Sequence, residues 1–339
     1  MNITVRTLEL HLAVPFAISR ATHTKKKVVL VELHEGDRVS RGEGVPDAFF
    51  GETPDSLDRD IRSAIDALSE DPLDLTSVSA ALETRFPHGG AACCAIDILA
   101  HDRAAQAAGV TLRDFLGLAA GEPPPTSFTI GIAEPAVMAE RAAKAAAEGF
   151  TVLKVKLGRG DAVAALSAIR ERFFGTIRVD PNAAWTVDEA PARIAALVPF
   201  DIEFVEQPID PQDIEGLRRV RVTSPVPIVA DEAAVRARDV PRLLDACDGI
   251  NVKLQKCGGV AAARAMIAAA HDGGLKVMLG CRAAETSVAI AAAAHLAPAV
   301  EWADLDGNLL ITDDPYRAVA VKAGRFVYSG RPGLGAIPA

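Results

Sequence analysis

The sequence contains no apolar stretch that reaches the roughly 20 residues of a membrane-spanning helix. Its first residues, Met-Asn-Ile-Thr-Val-Arg, lack the apolar segment of a secretory signal peptide. Positive charge is also in short supply, because 36 basic residues stand against 45 acidic ones and the net charge is −9. These absences speak against nucleic acid or membrane as partners, so we expect a cytoplasmic protein.

Cysteine gives no sign of a disulfide framework or a zinc site. The five residues are odd in number and lack the spacing of metal ligands: Cys93, Cys94, Cys247, Cys257 and Cys281. Cys93 and Cys94 are adjacent inside a helical pattern. We therefore interpret the cysteines as small buried apolar residues of a protein in a reducing compartment.

The N-terminal third has the pattern of a separate α+β unit. Strand patterns at 2–12 and 27–34 flank a polar segment, 19–26, which we interpret as a mobile loop. Helix patterns follow at 54–68, 91–108 and 112–116. Strands followed by helices predict an α+β capping domain over residues 1–118. The run Gly-Glu-Pro-Pro-Pro at 121–125 then predicts a linker.

Beyond the linker, strand and helix patterns alternate regularly. The predicted strands are 126–130, 152–157, 176–180, 202–206, 227–231, 249–253, 275–279 and about 301–304. Ala-rich amphipathic segments separate most of them, and seven or eight βα units in a row indicate a barrel rather than an open sheet. We therefore predict an α/β protein with a (β/α)7β TIM-type barrel over 124–311. The last segment, 312–339, should return to the capping domain.

Ionisable residues recur at the ends of five consecutive predicted strands. Asp180, Glu206 and Asp231 end three of them, at intervals of 26 and 25 residues. Lys156 and Lys253 end the strand before and the strand after. The carboxyl ends of barrel strands converge on one mouth, where catalysis takes place. Because Mg²⁺ and Mn²⁺ prefer carboxylate oxygens, the three acids predict a metal site between two lysines.

The alternative for each acid taken alone is a cap on the helix that follows its strand. That alternative weakens because all three acids occupy equivalent positions on consecutive units. Asn182 and Glu232, which lie beside two of the acids, are predicted to support the metal ligands from behind.

The strand 152–157 carries a second lysine on the face of Lys156. With a period of two, Lys154 and Lys156 share one face and Val155 and Leu157 the other. Since the outer face of a barrel meets helices, both lysines should point inward. The alternative is a surface strand with solvated lysines. Lys256, three residues beyond the last strand-end lysine, is interpreted as a loop residue.

Two lysines on opposite sides of a cation suit one reaction. A base removes a proton next to a carboxylate, the cation stabilises the enediolate, and the opposite lysine returns a proton to the other face. General acid–base catalysis contributes about 10²–10⁴-fold, whereas enzymes commonly reach about 10⁶-fold or more. Electrostatic stabilisation by the cation must therefore supply much of the remainder.

With these residues the chain resembles the enolase superfamily, in its muconate lactonizing enzyme-like subgroup. The resemblance covers nearly the whole chain and rests on Lys-x-Lys at 154–156, Asp-Pro-Asn at 180–182, Glu-Gln-Pro at 206–208, Asp-Glu at 231–232 and Lys-Leu-Gln-Lys-Cys-Gly-Gly at 253–259. It implies a lysine base with one Mg²⁺ per subunit and a homo-oligomer.

Within the subgroup, Ala-Asp-Leu-Asp-Gly at 303–307 resembles the signature of dipeptide epimerases. The resemblance implies that Asp304 and Asp306 bind the free ammonium group of a dipeptide, with Thr129, Lys154 and Cys281 as further substrate-binding residues. The implied substrates are L-Ala-D-Glu and L-Ala-L-Glu, as in cell-wall peptide metabolism. The alternative for the two aspartates is a turn with solvated acids.

Two arginines compete for the acidic side chain of such a substrate. The segment 15–20 resembles the specificity loop of L-Ala-D/L-Glu epimerases, and Arg20 matches a basic residue there, which implies bidentate binding of the glutamate side chain. Arg282 stands where the family often has methionine, and it would take that role if it faces the pocket. The alternative for Arg20 is a loop arginine in solvent. Lys25, Lys26 and Lys27 are interpreted as a solvated charge run.

Other functions remain open at this point. The same scaffold carries N-succinylamino acid racemases, o-succinylbenzoate synthases and cycloisomerases, whose substrates have no free amine and do not need Asp304 and Asp306. A ligand-binding protein without catalysis is a third possibility. The complete set of two lysines and three carboxylates argues against that last reading, because crowded like charges without a metal are destabilising.

Overall fold

The computed structural model describes residues 2–68, 74–118 and 120–339. An antiparallel sheet opens the chain, with strands β1 (Asn2–Ile18), β2 (Ala21–Glu35) and β3 (Arg38–Gly44). Strands β1 and β2 form one long hairpin, so the prediction of a loop at 19–26 is wrong, and the turn consists of Ser19 and Arg20. The polar run gave no strand signal because its backbone pairs while its side chains carry no alternating apolar pattern.

Four helices follow the sheet: α1 (Pro54–Leu68), α2 (Leu75–Arg85), α3 (Ala91–Ala107) and α4 (Leu112–Phe115). Helix α3 is buried along almost its whole length, because it lies between this sheet and the second half of the chain. At Gly42 of β3, an added Cβ would lie 1.9 Å from the carbonyl oxygen of Ala95. Glycine at this position therefore permits the close approach of helix and sheet.

The predicted barrel is confirmed as an eight-stranded parallel sheet in sequential order. Its strands are β4 (Phe128–Ile130), β5 (Val152–Lys156), β6 (Thr176–Asp180), β7 (Ile202–Glu206), β8 (Ile228–Ala230), β9 (Gly249–Lys253), β10 (Lys276–Gly280) and β11 (Trp302–Asp304). In the described chain, the first and last strands meet through one isolated bridge, between Thr126 and Ala303. The barrel is thus nearly closed, and its seam is held by few backbone bonds.

Helices alternate with the strands, and all but the short α9 cover the outside of the barrel: α5 (Pro135–Ala147), α6 (Ala162–Arg170), α7 (Ala190–Leu197), α8 (Ile214–Thr223), α9 (Leu254–Cys257), α10 (Val260–Asp272) and α11 (Ser287–Leu296). The fifth unit has a 3₁₀ helix, Ala237–Leu243, which contains Pro241; a proline inside a helix removes a backbone donor. Shorter 3₁₀ turns span Ala48–Phe50, Val198–Phe200, Ala297–Ala299 and Gly307–Leu310. No helix of the described ranges has both the length and the apolar character to cross a membrane.

The C-terminal segment returns to the N-terminal unit, as predicted. It contains four short strands: β12 (Tyr316–Arg317), β13 (Ala320–Lys322), β14 (Arg325–Val327) and β15 (Ile337–Pro338). The Tyr316 hydroxyl donates to Glu32 of β2 at 2.9 Å, and the Leu334 amide donates to Asp102 of α3 at 2.8 Å. The domain boundaries 1–118, 124–311 and 312–339 stay predictions, and residues 1 and 69–73 of the first lie outside the described chain.

A buried acid joins the sheet to the barrel. Glu43 of β3 accepts hydrogen bonds from the Thr286 amide and hydroxyl and from the Ala289 amide, at the N-terminus of α11. Burial, together with the nearby Glu285 and Asp314 charges, raises the pKa of Glu43 to about 8, although the hydrogen bonds from Thr286 oppose this change. Glu43 is therefore neutral in the folded protein at pH values where it is ionised in the unfolded chain.

We expect Glu43→Gln to gain stability relative to the parent as the pH rises. Below the unfolded-state pKa of about 4.5 both states of the parent carry the proton. Between pH 4.5 and 8 the unfolded parent loses it, and the parent loses stability. At about 1.4 kcal/mol per tenfold change in proton affinity, the variant should gain about 3 kcal/mol between pH 5.5 and 8.5. Urea unfolding at both values measures this, and equal differences at the two values would contradict it.

Candidate active site

Three buried carboxylates meet at the mouth of the barrel. Asp180 and Glu206 are the last residues of β6 and β7, and Asp231 follows β8 directly. One ligand atom of each lies within 4.8 Å of the others, and all three side chains are almost fully buried. The sequence pattern therefore placed these acids together correctly, because equivalent ends of consecutive parallel strands converge.

Neighbouring amides hold the carboxylates in position. Asn182 donates from its backbone amide and its side chain to Asp180, at 2.8 and 3.2 Å. The Asn251 side chain donates to Glu206 at 2.7 Å, and the Gln207 side-chain oxygen accepts from the Asp231 amide at 2.9 Å. The predicted supporting position of Asn182 is thus observed. Asn251 and Gln207 were missed, although Asn251 shares the strand face of Lys253 at a spacing of two.

The backbone beside the carboxylates adopts conformations that are rare for residues with side chains. Asn182, Ala183 and Gln207 have φ values of 50°, 57° and 32°. The Ala183 amide donates to the Gln207 carbonyl at 2.8 Å, which ties the two strand ends together. Such conformations cluster at functional sites, where the surrounding structure compensates their strain.

Both strand-end lysines contact the carboxylates, but not the same one. Lys156 donates to Asp180 at 2.6 Å, and Lys253 donates to Asp231 at 2.7 Å. The interpretation of Lys256 as a loop residue is wrong: it lies on α9, is buried, and donates to Asp231 at 2.6 Å. One helical turn separates it from Lys253, so both amines reach one carboxylate.

Lys154 lies at the centre of the acids. Its ammonium group is 2.6 Å from Glu206, 2.8 Å from Asp304 and 3.2 Å from Asp180, and its side chain is 2% exposed. Burial opposes its charge, yet the surrounding carboxylates raise its pKa well above the ordinary value. Both Lys154 and Lys156 point into the barrel, so the alternative of a solvated surface strand is wrong.

Burial and repulsion act on the three acids in different proportions. Burial and the Asp180 charge raise the pKa of Glu206 to about 7, although Lys154 opposes the change. Burial also opposes ionisation of Asp231, but Lys253 and Lys256 prevail and lower its pKa well below the usual range. The lysines therefore stabilise the charged form of Asp231 more than that of Glu206.

The donor set of this cluster fits a hard divalent cation. All three candidate ligands are carboxylates, which Mg²⁺ and Mn²⁺ prefer over the nitrogen and sulfur ligands typical of zinc. The Glu206 Oε2 atom is buried and accepts no hydrogen bond of proper geometry, although Lys154 lies beside it. A cation coordinated there would satisfy this oxygen and reduce the mutual repulsion of the acids.

The two aspartates at the last strand are buried rather than solvated. Asp304 accepts from Ser127 at 2.6 Å and from Lys154 at 2.8 Å. One oxygen of Asp306 accepts from the Thr129 amide at 2.6 Å, and the other lies 4.0 Å from the Cys281 sulfur. The alternative of a solvated turn is therefore wrong. Ser127 was missed, although it shares the strand face of Thr129 at a spacing of two.

A cavity of about 570 Å³ lies between the barrel mouth and the N-terminal unit. The predicted site residues that line it are Arg20, Lys156, Asp231, Lys253 and Cys281. The others lie deeper, in the network just described: Thr129, Lys154, Asp180, Glu206, Asp304 and Asp306. The β1–β2 hairpin and the loop around Asp47 form the roof of the cavity.

The two arginines both face this cavity, and each is held by an acid of the chain. Arg20 donates to Glu232 at 2.6 Å and lies over the Phe49 ring. Arg282 is buried and donates to Glu52 at 2.8 Å. Glu232, which was predicted to support the metal ligands, is therefore paired with Arg20 of the hairpin turn.

The chain belongs to the Enolase C-terminal domain-like family, which matches residues 137–338. It is similar over 99% of its length to the L-Ala-D/L-Glu epimerase of Bacteroides thetaiotaomicron, with 35% identity over 336 residues, or 87% of that protein. Relatives named as epimerases define it as an enzyme of the isomerase class.

Solved structures of relatives have the same fold. The dipeptide epimerase of Enterococcus faecalis, complexed with Mg and L-Leu-L-Tyr, has a TM-score of 0.92 and 34% identity, with 98% of both chains covered. The dipeptide epimerase of Cytophaga hutchinsonii, complexed with Mg and D-Ala-L-Val, has a TM-score of 0.93 and 29% identity, with 99% of this chain and 95% of that one covered. These relatives differ in the side chains of their dipeptides.

Proposed function

We propose that this chain epimerises dipeptides, with L-Ala-D-Glu and L-Ala-L-Glu as its substrates. The reaction would be a 1,1-proton transfer at the α-carbon of the second residue, between Lys156 and Lys253. The observation that carries the proposal is the arrangement of two amines on different strand ends, Lys156 buried and Lys253 partly buried, each beside a different carboxylate of the triad. The relatives that bind Mg and dipeptides support it.

Asp180, Glu206 and Asp231 would hold one Mg²⁺ per subunit, and Mn²⁺ fits the same oxygen ligands. When bound, the ion supplies positive charge that stabilises the negative charge developing on the substrate carboxylate. Lys156 and Lys253 remove and return the α-proton from opposite faces. Lys154, which contacts two of these carboxylates, keeps them close together.

Asp304 and Asp306 are proposed to bind the ammonium group of the dipeptide. Support comes from Asp306, which has one oxygen engaged by the Thr129 amide and the other close only to the weak donor Cys281. Asp304 is oriented by Lys154 and Ser127. The burial of both acids makes an opposite charge from the substrate favourable.

Deuterium incorporation in D₂O with Mg²⁺ tests the proposal. We expect exchange of the glutamate α-proton in L-Ala-L-Glu, with formation of the D-epimer, and slower exchange for a panel of apolar and cationic dipeptides. The N-succinylated counterpart should react slowly, because it has no ammonium group for Asp304 and Asp306. A preference for the blocked compound would instead favour an N-succinylamino acid racemase. The homo-oligomer and the cytoplasmic location stay predictions.

A further inference from the structure

The roof of the cavity carries a lysine, Lys26, whose side chain has no acidic partner among the described residues. Arg20 is engaged by Glu232, and Arg282 by Glu52 through Nη1, although the Nε and Nη2 atoms of Arg282 are buried without a hydrogen-bond partner in the described ranges. Lys25, also at the cavity, donates to Glu9 at 2.9 Å. Within the described part of the chain, the Lys26 side chain forms neither a hydrogen bond nor an ion pair. Its three N–H groups therefore stay available to a ligand.

The strand places Lys26 inward. Residues 26 and 28 of β2 lie on one face by the period of two, and Val28 is fully buried in an apolar cluster that includes Ala284 of the barrel. Lys26 is half-buried and lines the same cavity as Lys156 and Lys253. Lys26 is thus not part of a solvated charge run, whereas its neighbour Lys27, which also borders the cavity, is exposed to solvent.

Asp47, the acid with the largest electrostatic effect on Lys26, does not form an ion pair with it. Burial lowers the pKa of Lys26, the Asp47 charge opposes this, and Arg282 adds repulsion. Asp47 itself accepts from the Phe49 amide at 3.0 Å and caps the 3₁₀ turn Ala48–Phe50. One oxygen of Asp47 therefore serves the loop and the other lies 3.8 Å from Arg282 Nε, so the ammonium group of Lys26 stays partly desolvated without a direct acidic partner in the described chain.

We propose that Lys26 binds the side-chain carboxylate of the second residue of the dipeptide and sets the preference for acidic substrates. The inference rests on the proposed function and deepens it. A carboxylate at this point would replace the water that Lys26 has lost, with a charge-assisted hydrogen bond. Arg20, whose charge Glu232 already neutralises, would instead position Glu232 and the hairpin turn beside the metal site.

Steady-state kinetics with two substrates tests this assignment. Lys26→Met should lower kcat/KM for L-Ala-L-Glu by about 10- to 100-fold, mainly through a higher KM, the loss expected for one charge-assisted bond. For L-Ala-L-Met, of similar length without charge, the change should stay within about threefold, as for a removed contact the substrate does not make. Lys26→Arg should restore part of the loss. The control Lys276→Met, at an exposed lysine outside the cavity, should leave kcat/KM for both substrates unchanged.

Three results would overturn the assignment. Lys26→Met could leave kcat/KM for L-Ala-L-Glu unchanged. It could also lower kcat/KM equally for both substrates, which would indicate a structural role. A selective loss in Arg20→Met, without one in Lys26→Met, would return the role to Arg20.

A binding experiment separates this inference from the proposed function. Calorimetry with glutarate and butyrate, in the presence of Mg²⁺, needs no turnover. Lys26→Met should weaken the binding of glutarate and leave the binding of butyrate unchanged, even if the parent epimerises no dipeptide. Equal binding of glutarate by parent and variant would reject the role of Lys26, whatever the kinetics show.

Discussion

Lys253→Ala and Lys156→Ala are each expected to lose epimerisation by about 10²- to 10⁴-fold, the usual contribution of a positioned acid or base. In the proposed reaction each lysine serves one face of the α-carbon, so removal of either should block inversion. The remaining lysine can still remove a proton and return it to the same face. Each variant should therefore keep α-deuterium exchange with one epimer, and the two variants should keep it with opposite epimers.

Chiral chromatography with mass spectrometry in D₂O measures both quantities. Lys276→Ala is the matched control, because Lys276 is an exposed lysine at the opposite end of a barrel strand. It should retain parent activity. If both active-site variants exchange and epimerise like the parent, the two-base reaction is wrong. If one variant loses exchange with both epimers, that lysine does more than serve one face.

Mg²⁺ is expected to stabilise the folded parent, and Glu206→Gln should abolish most of this effect. A ligand at 100 times its dissociation constant adds about 2.7 kcal/mol. Replacing Glu206 removes one charged ligand, and supporting residues alone change metal affinity by about 10- to 100-fold. We therefore expect at least about 100-fold weaker binding. The variant should still fold without metal, because burial already disfavours the charge of Glu206.

Thermal unfolding over a range of Mg²⁺ concentrations makes this measurement. Asp188→Asn is the control, because it removes an acid whose side chain is 84% exposed. Its unfolding temperature should rise with Mg²⁺ concentration as that of the parent does. A Glu206→Gln protein that responds to Mg²⁺ like the parent would place the metal elsewhere. An unresponsive parent would favour a ligand-binding protein without metal chemistry.

The barrel was readable from the sequence because its signals are local and repeated. Strands predicted at 176–180, 202–206 and 249–253 coincide with β6, β7 and β9. The ends of such strands must converge, so residues far apart in sequence could be placed together. The 3₁₀ helix of the fifth unit was not foreseen, since Pro241 changes the local geometry more than the overall pattern.

The site was predicted less completely than the barrel. The period of two placed Lys154 and Lys156 inside correctly. It could not reveal that Lys256 turns back to Asp231, because that contact depends on α9 beginning directly after β9. The pairing of Arg20 with Glu232 and of Arg282 with Glu52 joins separate units of the chain. Such contacts follow from tertiary packing and have no local pattern.

The hairpin shows the same limit. Lys25, Lys26 and Lys27 form an undivided charge run in the sequence. Only the strand alternation, which β2 acquires by pairing with β1, distinguishes the inward residue from its neighbours.

The seam of the barrel bears on how this enzyme could be redesigned. Asp304 and Asp306 fasten β11 to Ser127 and Thr129 across a gap that few backbone bonds span. Replacing either aspartate would loosen the barrel at this seam at the same time as it changed the proposed binding site for the substrate amine. Within the described residues, the Lys26 side chain in the roof holds no such structural contact, so substrate specificity is easier to change at Lys26 than at the seam.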